Sequence, residues 1–205
     1  MGIRRLTKSD IETAAEVAAR AFHDDAAINY WFPNAQRRRD CLNHLFRLLI
    51  GYSTQYGEAY LTVPHPAGFA VWLPNDKAEI SVRRALGHGG LKLLPQMGIR
   101  NLLRLQKMGN DATRLRQAYA SEDGWFLAGL GVVPECQRQG YGTSLLRPVL
   151  RRLDEQGLDC YLDTEKQANL DYYRRFGFEV IATMEDPKYK ITTWGMRRPP
   201  QVETD

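Results

Sequence analysis

Gly140 and Gly142 lie in the run Gln137-Arg138-Gln139-Gly140-Tyr141-Gly142-Thr143-Ser144, just after the apolar stretch Trp125 to Val133 and the Pro134 that stops it. Glycine at a handover from strand to helix lets the backbone approach a ligand with its N–H groups exposed. Those N–H groups and the positive helix end suit a pyrophosphate. The run is not a P-loop, which needs Gly-Lys-Ser/Thr where this chain has Gly142-Thr143, and it lacks the third glycine of a dinucleotide fingerprint. Taken alone it is equally compatible with a tight turn. About thirty residues later come Tyr172-Tyr173-Arg174-Arg175-Phe176-Gly177-Phe178. A phenol titrates near ~pH 10, so at neutral pH it is protonated and can donate to a departing group.

The elements that must position these groups follow from periodicity. Ile3 to Leu6 reads as a short strand, and Thr7-Lys8-Ser9-Asp10 is a capping-box pattern before Ile11, Ala14, Ala15, Ala18 and Phe22 at helical spacing, so 9–22 is expected to be a helix. Leu42, Leu45, Phe46, Leu49 and Ile50 predict a second helix over 37–52. Residues 59–63 and 68–73 read as a hairpin around Pro64-His65-Pro66-Ala67. Helical, basic sequence fills an insert at about 77–119, interrupted at Gly87-His88-Gly89-Gly90 and near Pro95 and Gly98. Beyond it, strand 125–133, helix 141–156, strand 159–163, helix 168–175 and strands 178–184 and 189–197 predict a mixed α/β fold with helices packed on one sheet. The expected organisation is a single domain over 1–198 and a disordered tail at 199–205.

Composition narrows the class. Of 205 residues, 43% are hydrophobic and 25% charged, ordinary for a globular protein, and no apolar run approaches the ~20 residues that span a bilayer. No apolar signal-peptide core follows Met1-Gly2-Ile3-Arg4-Arg5, so a cytoplasmic location is expected. Cys41, Cys136 and Cys160 are far apart, and His23, His44, His65 and His88 are scattered singly, which argues against disulfides and a metal site. The insert carries nine Lys or Arg residues between Lys77 and Arg116 against Glu79 and Asp111. With no aromatic interleaving, these read as the solvated faces of two helices whose other faces carry Leu91, Leu94, Ile99, Leu102, Leu103 and Leu115. Neither a nucleic-acid nor a membrane partner is expected.

Gln-x-x-Gly-x-Gly after an apolar strand ending Val-x-Pro resembles the acetyl-CoA signature of the GCN5-related N-acetyltransferase superfamily, and Tyr-x-x-x-Gly-Phe resembles its later catalytic element. The resemblance is loose over 1–22 and 58–73 and close over 125–197. Gly-Val-Val-Pro-Glu, Leu-Leu-Arg-Pro at 145–148, Tyr-Leu-Asp-Thr at 161–164, Asn169 four residues before Tyr173, and Thr193-Trp194-Gly195-Met196 look most like the puromycin N-acetyltransferase-like branch.

The resemblance implies a mixed, mostly antiparallel sheet whose fourth and fifth strands splay apart to receive acetyl-CoA, with coenzyme A as product. It implies that Leu130, Val132 and Val133 contact the pantetheine arm, that Arg138, Gln139, Gly140, Tyr141, Gly142 and Thr143 hold the pyrophosphate, and that Asn169 touches the cofactor. Gly129 and Gly131 make a bulge plausible in strand four. Tyr173, four residues before Gly177, stands at the family's position for the general acid, and Tyr172 packs or lines the pocket. The glutamate that many relatives carry on strand four is missing from Phe126-Leu127-Ala128-Gly129. Asp163 and Glu165 are the nearest candidate bases, with a water chain as the alternative. Tyr30, Trp31, Phe32 and Trp72 are candidates for an aromatic wall around a small-molecule amine. Monomer and homodimer both stay open. The expected activity is direct acetyl transfer in a ternary complex; the alternative is a non-catalytic acyl-CoA sensor on the same fold.

Overall fold

The computed structural model describes residues 2–25, 28–29, 32–186 and 191–201. Strand β1 (Gly2–Arg5) leads through a 3-10 turn into helix α1 (Ile11–Phe22), where the Asp10 carboxylate receives the Thr7 N–H at 2.8 Å and the Arg4 guanidinium. Ala14, Ala15, Val17, Ala18 and Ala19 make one buried face of α1, and such small side chains bring the helix close to the sheet. Helix α2 (Ala35–Tyr56) starts at Asn34, whose side chain accepts the Arg37 N–H at 2.9 Å. Strands β2 (Glu58–Val63) and β3 (Gly68–Pro74) form the expected hairpin.

The insert holds helices α3 (Val82–Gly87) and α4 (Leu93–Tyr119), the latter broken at Gly98, whose φ of 72° lies in the left-handed region. Strand β4 (Trp125–Val132), helix α5 (Tyr141–Glu155), strand β5 (Cys160–Thr164), helix α6 (Ala168–Arg174) and strands β6 (Glu179–Asp186) and β7 (Ile191–Arg198) complete the chain. Among the described residues the sheet runs β1-β2-β3-β4-β5-β7-β6, antiparallel throughout except at β4–β5. No helix of the described residues is long and apolar enough to cross a membrane.

The two faces of the sheet carry separate cores. Phe22, Phe46 and Phe69 pack together on the α1/α2 face, with ring centroids 5.0–6.2 Å apart. On the other face Leu145, Leu146, Val149, Leu150 and Leu153 of α5 pack on Trp72, Leu162, Phe178 and Met196. Two ionic ties hold α5 in place: the Arg152 fork on Glu58, at 2.7 Å for each bond, and the Arg198 fork on Asp154 at 2.6 and 2.7 Å.

Two expectations change. Leu91, Leu94, Ile99 and Leu103 face outward at 69%, 48%, 61% and 57% exposure; Leu93 and Met97 turn inward instead. The helix breaks at Gly98, so no single helical register runs through these leucines. The tail is held at least as far as Gln201, whose N–H donates to Asp154 at 2.7 Å; residues 202–205 lie outside the described residues.

Candidate active site

Strands β4 and β5 pair at only two positions, Trp125 with Cys160 and Phe126 with Tyr161, and then diverge. On its other edge β4 stays paired with β3 as far as Val132, with one extra residue, Ala128, between Leu127 opposite Trp72 and Gly129 opposite Val71. The bulge therefore sits at Ala128, beside the expected glycines. Gly131 has a different reason: a Cβ there would meet the Phe69 and Phe22 rings at 2.6 and 2.9 Å. A β4 residue paired to β3 on one edge and to nothing on the other offers unused backbone hydrogen-bonding groups to the gap.

At the far end of β4 the loop before α5 turns through Arg138 (φ 60°) and Gly140 (φ 88°). Helix α5 starts on Gly140 with no capping side chain and no acidic residue in its first turn, which leaves its leading N–H groups available. The Gln137 amide donates to Val132 O at 3.1 Å and the Gln139 amide to Glu135 O at 3.0 Å, so these side chains brace the loop. Leu130 and Val132 are half-buried on the α5 side of β4. Val133 is not on the gap: it is 2% exposed in the α1/α2 core, its N–H donates to Ala67 O and its carbonyl accepts from Cys136. Its expected contact with a pantetheine arm falls away because both its backbone groups and its side chain are already engaged.

Helix α6 brings Tyr172 and Tyr173 to the α5 side of the gap, the two rings 5.3 Å apart. The Tyr172 hydroxyl is buried over Gly142 in the first turn of α5, beside the Thr143 side chain. Burial, reinforced by the charges of Asp163 and Glu165 and by Tyr172 and Cys160, pushes the Tyr173 phenol well above its usual value, so it stays protonated across the working pH range. Asn169 donates to the Thr164 hydroxyl at 3.0 Å and thereby braces the turn between β5 and α6.

Asp163 and Glu165 alternate on β5 and at its end, with Asp163 on the sheet face covered by α4. Burial raises Asp163 to about 6, partly opposed by Arg116. Glu165 is solvent-accessible at the mouth of a concave site, yet the surrounding protein, the Asp163 charge and Asp25 raise it to about 7. Asp111 of α4, Thr193 of β7 and Asp186 of β6 line the same cleft as Glu165. Lys107 joins α4 to β6 by reaching Asp111 at 2.8 Å and Asp186 at 3.0 Å, and Lys166, next to Glu165 in the chain, reaches Asp25 at 3.0 Å.

The aromatic wall changes. Trp72 is fully buried in the α5-side core, and Phe32 is 4% exposed between α2 and α4 with Cys41, Leu48, Leu93 and Met97. Both are core residues, because the strand and loop that carry them are covered by helices. Tyr30 and Trp31 lie outside the described residues. Arg116, read from sequence as part of a solvated face, is 5% exposed, with its guanidinium 4.9 Å above the Phe126 ring. It lines a surface pocket with Asn75, Gln117 and Ser121, and no local sequence signal separates it from the other basic residues of the insert.

The sheet thus brings together a split parallel pair, an uncapped helix start, two raised carboxyl groups on the α4 face and a buried phenol on the α5 face. The Acetyltransferase (GNAT) family model matches residues 52–178, and the chain belongs to that family. An uncharacterized N-acetyltransferase of Schizosaccharomyces pombe is 24% identical over 214 residues, covering all of this chain and 85% of that protein. Among solved structures, a Corynebacterium glutamicum protein described as histone acetyltransferase HPA2 and related acetyltransferase superposes with a TM-score of 0.67 at 18% identity, covering 100% of this chain and 98% of the other. An aminoglycoside 6'-N-acetyltransferase complexed with coenzyme A gives a TM-score of 0.53 at 12% identity with full coverage of both chains.

Proposed function

We propose that this member of the GNAT acetyltransferases is a cytoplasmic enzyme that transfers acetyl from acetyl-CoA to the primary amine of a small molecule, by direct attack in a ternary complex. The observation that carries the reading is the two-residue β4–β5 pairing, which leaves a gap with Tyr173 on one side and Asp163 and Glu165 on the other. The site suits coenzyme A: the first turn of α5 presents N–H groups without a cap or an acidic neighbour, and the free edge of β4 suits the amides of a pantetheine arm. Arg138 to Thr143 would hold the pyrophosphate, and Leu130 and Val132 would flank the arm. Acetyl-CoA supplies an activated thioester there.

The chain's own groups then divide the proton work. Glu165, near 7, with Asp163 behind it, takes the proton that makes the amine nucleophilic. Backbone N–H groups on the free edge of β4 face the negative charge that develops on the carbonyl oxygen. Tyr173 holds a proton for the leaving sulfur. The sequence resemblance to the puromycin N-acetyltransferase-like branch, at Asp163 and Asn169 among other positions, favours a small amine as acceptor.

Thiol release and mass spectrometry of products, with acetyl-CoA and a panel of small amines, test the proposal. Transfer to at least one amine is expected; tight acetyl-CoA binding with no transfer across a broad panel would support the sensor instead.

A further inference from the structure

Below the cleft lined by Asp111, Glu165 and Thr193, the same three elements continue with different chemistry. One helical turn on from Ala112, α4 presents Arg116; two and four residues back from Glu165, β5 presents Asp163 and Tyr161; two residues on from Thr193, β7 presents Gly195. Asp163 pairs with Gly195 in the sheet register, and the Tyr161 hydroxyl lies across Gly195, 2.6 Å from where a Cβ would stand. Glycine at 195 thus makes room for that hydroxyl.

Two polar groups at this level lack a hydrogen-bond partner among the described residues: the buried Tyr161 hydroxyl and the guanidinium of Arg116, a residue that also lines a surface pocket with Asn75, Gln117 and Ser121. The Tyr161 hydroxyl, on a residue 1% exposed, has no hydrogen-bond partner among the described residues. The Arg116 guanidinium makes neither a hydrogen bond nor an ion pair within 4 Å with any described residue; it rests on Phe126 and feels Asp163 only at longer range. Burial lowers the Arg116 pKa despite the Asp163, Tyr161 and Glu79 charges, so the surrounding residues do not compensate the guanidinium. A guanidinium on a 5% exposed residue and a buried phenol, both donors without a hydrogen-bond acceptor among the described residues, suit an oxyanion.

We propose that Arg116 and Tyr161 form the carboxylate end of the acceptor subsite, so that the acceptor is an amino-acid-like zwitterion with its amine toward Asp163 and Glu165. The inference rests on the acetyltransferase reading above and names its substrate class. A carboxylate matches the planar guanidinium fork and a phenol donor together. A doubly charged phosphate would face Asp163 as well. Lys107 already pairs with Asp111 and Asp186 at the cleft, which leaves Glu165 toward the mouth and Arg116 beneath as the opposite charges that complement the two ends of a zwitterion. The anion is assigned to the acceptor because Arg116 and Asp163 lie on the α4 face, whereas Tyr173 and the start of α5 serve the opposite face.

The test uses the full-length enzyme with acetyl-CoA and matched acceptors: glycine, β-alanine and γ-aminobutyrate, each against the alkylamine that lacks its carboxylate. At least one amino acid is expected to exceed its alkylamine in kcat/KM by about tenfold or more, since a site built around a polar group rejects analogues without it. The readout is that ratio, which Arg116→Gln and the milder Tyr161→Phe should bring close to one, with melting temperatures measured for both variants. No preference in the wild type across the panel, or variants that lower both members of a pair equally, overturns the subsite. A preference for succinyl-CoA over acetyl-CoA that Arg116→Gln removes also overturns it, by moving the anion to the acyl donor. If no amine is turned over, the acetyltransferase reading fails alone. Calorimetry of the same amino acids on the coenzyme A-loaded protein then decides the subsite: binding that Tyr161→Phe and Arg116→Gln abolish supports it, and no binding overturns it.

Discussion

The hydroxyl of Tyr172 sits 2.5 Å from the point where a Cβ on Gly142 would stand, so the first turn of α5 and helix α6 are fitted to each other through a glycine. In Gly142→Ala the anchored ring must shift, and overpacking of this kind costs about 1–3 kcal/mol. The helix start that is assigned to the pyrophosphate would move with it. Acetyl-CoA affinity measured by calorimetry should fall about tenfold or more. Tyr172→Phe in the Gly142→Ala background removes the clashing oxygen and should restore most of that affinity; a double variant as weak as the single one would show that Gly142 is needed for another reason.

Tyr173 is pushed toward the protonated form by burial and by the carboxylates across the gap, the state a proton donor requires. Tyr173→Phe is expected to lower kcat at least about tenfold, as loss of a general acid does, while the acetyl-CoA dissociation constant stays within experimental error. Unchanged turnover with the normal amine would remove the phenol from the mechanism.

Asp163 and Glu165, near 6 and 7, titrate as a coupled pair, so kcat/KM should rise with pH through the upper of the pair's two apparent values and then level off. Glu165→Gln should abolish that rising limb and lower the plateau by about a hundredfold. Asp163→Asn removes the negative charge that raises Glu165, so the limb should move to lower pH. The same shifts bear on stability. Both groups bind protons more tightly folded than unfolded, so their contribution declines as pH rises from about 4 to 7. Melting temperatures across that range should fall less steeply in Asp163→Asn than in the wild type.

The Glu58–Arg152 fork behaves in the opposite sense. Burial alone would raise the Glu58 carboxyl, but hydrogen bonds from Arg152 and Tyr60 and the charges of Arg152 and Arg5 outweigh it and hold it below its usual value. The stabilisation is complete above the unfolded carboxyl's pKa and is lost as pH falls through the folded one. Glu58→Gln strands the Arg152 charge against β2 and should cost about 2 kcal/mol at neutral pH, read from urea unfolding. The cost should shrink in acid, where the wild-type carboxylate is itself protonated.

Strong periodicity made most of the architecture readable in advance. The hairpin, α5 and the strands on either side of α6 lie within a few residues of the expected ranges, because each buries one regular face. The insert was harder, since leucines such as Leu91 and Ile99 carry no mark of whether a helix turns them in or out, and the Gly98 break resets the register. Trp72 and Phe32 illustrate a second limit: an aromatic residue at a strand end or in a loop has the same sequence signature whether it lines a pocket or fills a core. Arg116 is the converse case, a charge that local sequence places on a solvated face and tertiary packing places inside.

The two-residue handshake between β4 and β5 gives the sheet an internal rim. Ordinary sheet rims recruit other chains unless they are guarded, but this one opens into a wedge between two neighbouring strands, where a second polypeptide cannot line up beside it. The amides of the pantetheine arm proposed above match such a rim. Amide protons of Leu127 to Val132 that point into the wedge should therefore exchange with solvent far sooner than those facing β3, and a ligand seated there would slow that inner set alone.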